Sequence, residues 1–423
     1  MKYIYPLLAL VPIAFVLEYL VHASPVVIFM VSALALIPLA AVLGKATEEI
    51  AVHTGPRIGG LLNATLGNAA ELIITIVALN AGLYTLVKAS IIGSILGNIL
   101  VVLGASLLLG GLKNGIQRFD RAEAGVVASL MMLSVIAMAV PTAFARTIEE
   151  ASLVTLSDEV AAIMLLLYLA YLAYSFFSSP NAEPAAHGSA AGETPRVSPD
   201  LVDAGRGAAT SSTAAPAQAA RLSGSNTTST TITTSSSRGG SSSAGPGAPT
   251  ASHAPAQGGH GGHAGGHEAA WSVPVALGVL VVSTLAIVFM SEFIVGAVEH
   301  VTESLGWTEF FLGIIIIPLV GNVAEHIVGV QVAYKNQMDL SLAISLGSSL
   351  QIALFVAPVL VFVSLFVGPR PMDLVFNTFE MIALIAAVVV GAFVSLDGES
   401  NWLEGALLLG VYLILGFAFF YVG

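Results

Sequence analysis

The feature that most constrains this chain is a series of eleven apolar stretches, each long enough to cross a lipid bilayer. They cover residues 4–22, 25–43, 58–81, 89–112, 123–144, 160–177, 273–295, 310–334, 340–367, 374–396 and 402–422. About 20 apolar residues wound as a helix span the ~30 Å hydrocarbon core. Inside that core each backbone N–H and C=O must find its partner within the segment, so such stretches can only be helices. The predicted fold is therefore an all-α polytopic membrane protein with eleven transmembrane helices. Composition agrees: 56% of residues are hydrophobic and 9% charged, against roughly 25% charged in an average soluble domain. Cysteine is absent, which excludes disulfides, thiolate metal sites and iron–sulfur clusters. A net charge of −12 with no basic tract argues against nucleic acid as a partner. Lys2 precedes the first apolar run as it would in a signal peptide. Pro6 and Pro12 interrupt that run, however, and no small-x-small cleavage site ends it, so it reads as a retained helix.

Between residues 178 and 272 the composition changes to Ser, Thr, Ala, Gly and Pro, as in the TTSTTITTSSS run of 227–237. Such sequence cannot bury enough apolar surface to offset its chain entropy, and disorder is predicted. The linker separates a first membrane half, 1–177, from a second, 273–423. Its His260, His263 and His267 are spaced like a metal cluster but read as solvated low-complexity sequence. Lys and Arg set the orientation. One side collects Lys2, Lys45, Arg57, Lys113, Arg118, Arg121, Lys335 and the linker's Arg196, Arg206, Arg221 and Arg238; the other has only Lys88, Arg146 and Arg370. The N-terminus and linker are thus expected in the cytoplasm and the C-terminus outside, with the cell membrane as the expected location.

Sliding the sequence against itself by 254 residues brings Gly67-Asn68-Ala69-Ala70-Glu71 onto Gly321-Asn322-Val323-Ala324-Glu325. In the same register Ala89, Gly93, Ser94, Leu96 and Leu100 meet Ala343, Gly347, Ser348, Leu350 and Leu354; after a three-residue adjustment Glu123 meets Glu380. Each unit holds five helices. An odd number makes the second copy enter the membrane from the opposite side. Two inverted five-helix repeats characterise secondary transporters, whose binding site lies near the midplane where the halves meet.

Glu71 and Glu325 each sit near the middle of an apolar span. A lone membrane-embedded acid can be a protonated, hydrogen-bonded packing residue, but two at repeat-related positions, each three residues after an Asn, point to function. Gly67, Gly321 and Pro318 are expected to unwind the helix ahead of each Asn, tolerable at that depth only beside a cavity or ligand. Asn68, Asn322, Ser94, Ser348, Ser349 and Gln351 add amide and hydroxyl oxygens. Hard oxygen ligands with two carboxylates suit Ca²⁺; Mg²⁺ requires a stricter octahedron, and Mn²⁺ stays open. Protons and a dication would compete for the same two acids, the minimum an antiporter needs. No resident cofactor is implied; the cation is the cargo.

At these residues the sequence resembles the cation/proton exchangers of the Ca²⁺/cation antiporter superfamily, the family usually called CAX. The resemblance rests on Gly67–Glu71 with Ser94-Ile-Leu-Gly-Asn98, and on Gly321-Asn-Val-Ala-Glu-His326 with Gly347-Ser-Ser-Leu-Gln351. Pro371-Met-Asp-Leu-Val-Phe376 and Asp397-Gly-Glu-Ser-Asn-Trp402 add to it, and it covers 40–177 and 273–420. It implies eleven helices with the first peripheral, and alternate binding of the exported cation and protons at Glu71 and Glu325. It also implies that His326 marks proton-coupled rather than sodium-coupled members; taken alone, His326 reads as a packed core residue. Many relatives carry an acidic stretch in the linker, and this chain does not. Glu123, Glu380 and His326 are the candidates for further proton handling. Glu18 and His22, four apart on the first helix, read as structural or interfacial.

The alternatives are a sodium-coupled or Mn²⁺-preferring exchanger and, from another class, a cation channel. An intramembrane metallohydrolase lacks its motifs, with neither His-Glu-x-x-His nor Gly-x-Ser-x-Gly present, so no enzyme is expected. A homo-oligomer stays open. Because the linker's composition predicts no packed core, replacing residues 185–268 with a short flexible segment should leave proton-driven transport within about twofold of the parent in vesicles. Loss of transport in a properly inserted deletion would show an essential linker.

Overall fold

The structure, a computed structural model, describes residues 5–177 and 270–422. All but the last three residues of the expected linker, with its histidine cluster, lie outside these. The described residues belong to one compact unit and form twelve helices with one small ribbon: α1 Tyr5–Val21, α2 Pro25–Leu66, α3 Ala69–Asn80, α4 Tyr84–Asn114, β1 Gln117–Arg118, α5 Arg121–Phe144, α6 Glu150–Phe177, α7 Val273–Leu305, α8 Glu309–Gly321, α9 Val323–Tyr334, α10 Met338–Val363, α11 Thr378–Val394, β2 Glu399–Ser400 and α12 Trp402–Val422. Seven helices are long and apolar enough to cross a membrane, or eight spans if α8 and α9 count as one bent span. Large apolar side chains face outward, among them Val282 (67% exposed), Ile414 (68%) and Phe417 (68%). Such a surface is ruinous in water and natural against lipid. The chain is an integral membrane protein.

Several helix limits differ from the sequence expectation. The loop expected between residues 43 and 58 is absent, because α2 continues for 42 residues from Pro25 to Leu66. Lys45 bonds Glu49 one turn on at 3.0 Å, and the Thr54 hydroxyl returns to the carbonyls of Ile50 and Ala51 at 3.2 Å. Both contacts support helix where sequence reading expected a break. α4 begins five residues early, at Tyr84, which moves Lys88 from a loop onto the helix. α11 begins at Thr378 rather than 374 because Asn377 and Glu380 form a capping box. The equivalent start of α5 is capped by Asp120, which accepts from the N–H groups of Ala122 and Glu123.

α4 and α10 are the most buried of the long helices. Small residues let their neighbours approach closely. A Cβ on Gly313 of α8 would lie 2.7 Å from the Leu86 carbonyl of α4, and one on Gly93 would strike the backbone of Ile314. α12 crosses α4 at Gly104, Gly111 and Gly405 in the same way. The first helix docks by aromatic edges: Phe15 lies 5.4 Å from Phe289 and 5.3 Å from Phe293. Glu18 lies in that helix, but His22 does not continue it: it caps the end in the left-handed region, at φ 51°. The two therefore do not share a helix face, and no group of three or more metal-ligating side chains occurs among the described residues.

Interhelical turns gather at two ends. At one, β1 pairs antiparallel with β2, Gln117 Nε2 donates to Ala333 O at 2.8 Å and Asn336 Oδ1 at 3.1 Å, and the Asp120 N–H donates to Asp339 at 2.6 Å. At the other, the start of α4 meets Glu309 of α8 through the Leu86 N–H and Asp373 of the segment before α11 through Lys88. A Gly405→Val substitution forces a side chain into the Leu108 backbone; overpacking of about 1–3 kcal/mol should lower the melting temperature in detergent by roughly 3 °C or more. Gly410→Ala, with open space around it, should leave it unchanged.

Candidate functional site

The helical path breaks at both Gly-Asn pairs. Asn68, between α2 and α3, has φ −98° and ψ 19°; Asn322, between α8 and α9, has φ −99° and ψ 6°. The axes of α8 and α9 meet at 59°. Proline and glycine account for this in the second copy, where Pro318 removes one helical donor; glycine alone serves in the first. Each break sets its glutamate in the first turn of a new helix, Glu71 in α3 and Glu325 in α9.

The two carboxylates belong to one hydrogen-bonded cluster. Glu71 is 3% exposed and accepts from Ser94 Oγ and from Asn322 Nδ2, the latter at 2.5 Å. Glu325 is half-buried and accepts from Ser348 Oγ at 2.6 Å. In both copies the serine follows its glutamate by 23 residues. Ser348 also lies 3.3 Å from Asn68 Oδ1, and Asn68 Nδ2 donates to Gln351 Oε1 at 2.8 Å. Asn322 of one half thus reaches Glu71 of the other, and Ser348 ties Asn68 to Glu325. The crossing is asymmetric, since Asn68 binds Gln351, whose repeat equivalent Gly97 has no side chain.

Asn98 completes the cluster and was missed as a site residue although its motif was recognised. Its Nδ2 donates to Ser348 Oγ at 3.1 Å, and its Oδ1 is buried without a partner among the described residues. It sits four residues after Ser94, which puts the two on one helix face; that spacing was the available signal. Glu71 Oε2 and His326 Nε2 are likewise buried and unpartnered. A buried polar atom without a partner calls for an explanation, and a bound ion would supply one for these three; five more such atoms lie elsewhere among the described residues. π-helical turns follow the site serines at Gly97–Val102 and Ile352–Val356, a distortion frequent at functional sites.

Three expected residues stand apart. Ser349 Oγ bonds its own helix, at Ser345 O, 2.9 Å. Glu380 is buried and spends its carboxylate on the Asn377 N–H at 2.6 Å, capping α11. Glu123 lines a cavity of about 110 Å³ with Asp120, Asp339, Leu342 and Gln351, so three acids and the outermost amide of the cluster border one space at the β1–β2 end.

The profile described as "Sodium/calcium exchanger protein" matches residues 24–177 and 275–421. The chain belongs to the sodium/calcium exchanger family. Among curated relatives of this family member, a protein named Ca(2+)/H(+) antiporter from Aphanothece halophytica is 40% identical, covering 98% of this chain and 95% of that one. The Ca(2+)/H(+) antiporter ChaA of Bacillus subtilis is 36% identical, with 96% and 95% covered. These named relatives are transporters, not enzymes. Among solved structures, native YfkE superposes with a TM-score of 0.72 at 33% identity, covering 99% of this chain and 100% of that one. The H+/Ca2+ exchanger CAX shares the fold, with a TM-score of 0.61 at 14% identity and coverage of 99% and 91%.

Ser94 and Ser348 make equivalent contacts with their glutamates. If the cluster holds a divalent cation, Ser94→Ala and Ser348→Ala should each weaken its binding about tenfold, measured by titration calorimetry on purified protein, the effect of losing one hydrogen bond to a charged group. Ser349→Ala should stay within about twofold.

Proposed function

We propose that this chain is a secondary antiporter that exports Ca²⁺ from the cytoplasm in exchange for protons, with Glu71 and Glu325 as a shared site for either ion. The observation that carries the reading is the crossed contact between halves, Asn322 to Glu71 at 2.5 Å and Ser348 between Asn68 and Glu325. It makes one oxygen-lined cluster of two carboxylates. Two negative charges match one dication or two protons. Loaded in either way the site is neutral; empty, it holds charge at a depth where charge is expensive. An empty carrier therefore does not reorient, and one ion leaves only as the other arrives. Hard oxygen donors with tolerant geometry favour Ca²⁺. The Ca(2+)/H(+) antiporter names of relatives at 40% and 36% identity support protons over sodium as the counter-ion.

The architecture we infer has eleven spans, counting α2 as two where it runs on through residues 43–58: α1 peripheral, then two five-helix repeats inserted in opposite directions, with the linker 178–272 between the halves 1–177 and 273–423. Its support is the pair of breaks at Asn68 and Asn322, the equal serine spacing and the equivalent π-helical turns. Alternating access exposes the cluster to each side in turn. Lys113, Arg118, Arg121 and Lys335 belong with the β1–β2 end, and Lys88 and Arg370 with the other. The positive-inside bias makes the β1–β2 end, the N-terminus and the linker cytoplasmic and the C-terminus external, in the cell membrane. Glu123 at the cavity and His326 beside Glu325 serve proton movement, while Glu380 caps a helix.

Glu71→Gln and Glu325→Gln keep shape and hydrogen bonding but remove one charge. A dication then sits under-compensated in a low-dielectric site, a penalty of about 3–5 kcal/mol. In proteoliposomes with a pH gradient and no sodium, each variant should reduce Ca²⁺ uptake roughly a hundredfold or more. Parent uptake should be accompanied by opposing proton movement. Parent-like rates in both variants, or a requirement for a sodium gradient, would overturn the reading.

A further inference from the structure

Away from the carboxylate cluster, a dense set of polar contacts sits at the end opposite the cavity, on a segment without regular structure. Residues 368–377 run from the end of α10 over the turn between α3 and α4. Gly368 turns at φ 95°, with the Leu79 carbonyl 2.7 Å from where a Cβ would stand. The Tyr84 hydroxyl donates to Arg370 O at 2.5 Å and accepts from Arg370 N–H at 2.9 Å. The Met372 N–H donates to Ser364 at 2.7 Å, Leu374 N–H to Ser157 at 3.0 Å and Phe376 N–H to Thr142 at 3.0 Å. Met372, Leu374 and Phe376 are buried. Side chains from α4, α5 and α6 thus hold this strap's backbone, as irregular chain at such a place requires.

One of these contacts is ionic. Lys88 Nζ lies 2.6 Å from Asp373 Oδ1 and 3.0 Å from Val375 O. Lys88 stands on α4 six residues before Ser94, about 9 Å along the helix, so the helix that supplies a site hydroxyl also holds the strap. In the 254-residue register Lys88 falls on Leu342. Leu342 lines the cavity beside Gln351. Equivalent positions at the two ends therefore differ: a cation clamps a strap at one, and an apolar side chain borders open space at the other.

We propose that Lys88 is a positioning residue for transport, its ion pair with Asp373 latching the 368–377 strap across one mouth of the route to Glu71 and Glu325. With the latch closed, the cluster communicates with the cavity end alone; releasing it opens the strap end. This inference rests on the antiporter reading above.

The absence of native cysteine allows a direct test. Leu374→Cys places one reporter under the strap in purified, detergent-solubilised protein, probed with a charged methanethiosulfonate reagent. The reporter should react slowly in the parent and at least ten times faster with Lys88→Met added. Lys88→Arg, and the exchange Lys88→Asp with Asp373→Lys, should restore slow reaction. If Lys88→Met does not purify as monodisperse protein, Asp373→Asn carries the same expectation. In proteoliposomes without the reporter, Lys88→Met should lower the half-saturating Ca²⁺ concentration about threefold at the strap face and raise it about threefold at the cavity face. A structural defect alone would slow both directions without that split. Unchanged reporter reactivity in the charge-removing variant, or a charge exchange that fails to restore protection, would overturn the latch. The thiol reaction involves no ion flux, so its outcome is independent of whether Glu71 and Glu325 support antiport.

Discussion

The organising constraint is the cost of leaving a carboxylate unpaired where water is scarce. Glu71 is buried, and one of its oxygens is bonded by both Ser94 and Asn322. Meeting that demand sets much else. Asn322 reaches Glu71 because the helix path breaks at Gly321, and a side chain on Gly321 would begin 3.3 Å from Glu71 Cγ. Ser94 reaches it because α4 runs centrally, and α4 runs there because Gly93, Gly104 and Gly111 admit neighbouring backbones at close range. The glycines contribute no ligand, yet they set the distances between the groups that do.

The two copies of the Gly-Asn-x-Ala-Glu motif depart from one another where it matters. Glu71 is enclosed, while Glu325 is half-buried. Asn322 contacts the opposite glutamate, whereas Asn68 turns to Gln351. α2 continues from Pro25 to Leu66 through the region where its counterpart ends at Gly306, which turns at φ 67° before Thr308 caps α8. On the antiporter reading proposed above, such asymmetry between similar halves belongs to one conformation, and exchanging the halves' conformations would give the other.

Much of the site was legible because its signals are local and repeated. Two five-residue motifs and two serines at fixed spacing identify Glu71, Glu325, Ser94 and Ser348, and the Gly-Asn pairs foretell where the helices break. Asn98 escaped because only its contact with Ser348, 250 residues away, distinguishes it from a packing amide. Glu380 is a proton-handling candidate by repeat register, and its capping contact with Asn377 shows only once the helix start is placed. The helix ends were misjudged where charge sits on a helix: Lys88 reads as a loop residue until Asp373, 285 positions later, is brought to it. Hydropathy finds spans well and their ends poorly, since ends depend on caps and partners.

The crossed contacts also have a temporal side. A ribosome delivers Glu71 to the bilayer long before it delivers Asn322, 251 residues later in the chain. Until then the first half carries an acid with Ser94 as its one side-chain donor among the described residues, and Asn68 without Gln351 or Ser348. The nascent first half is thus an unfinished object whose polar centre must be sheltered during biogenesis. It is completed when the second half arrives and Asn322 donates to Glu71.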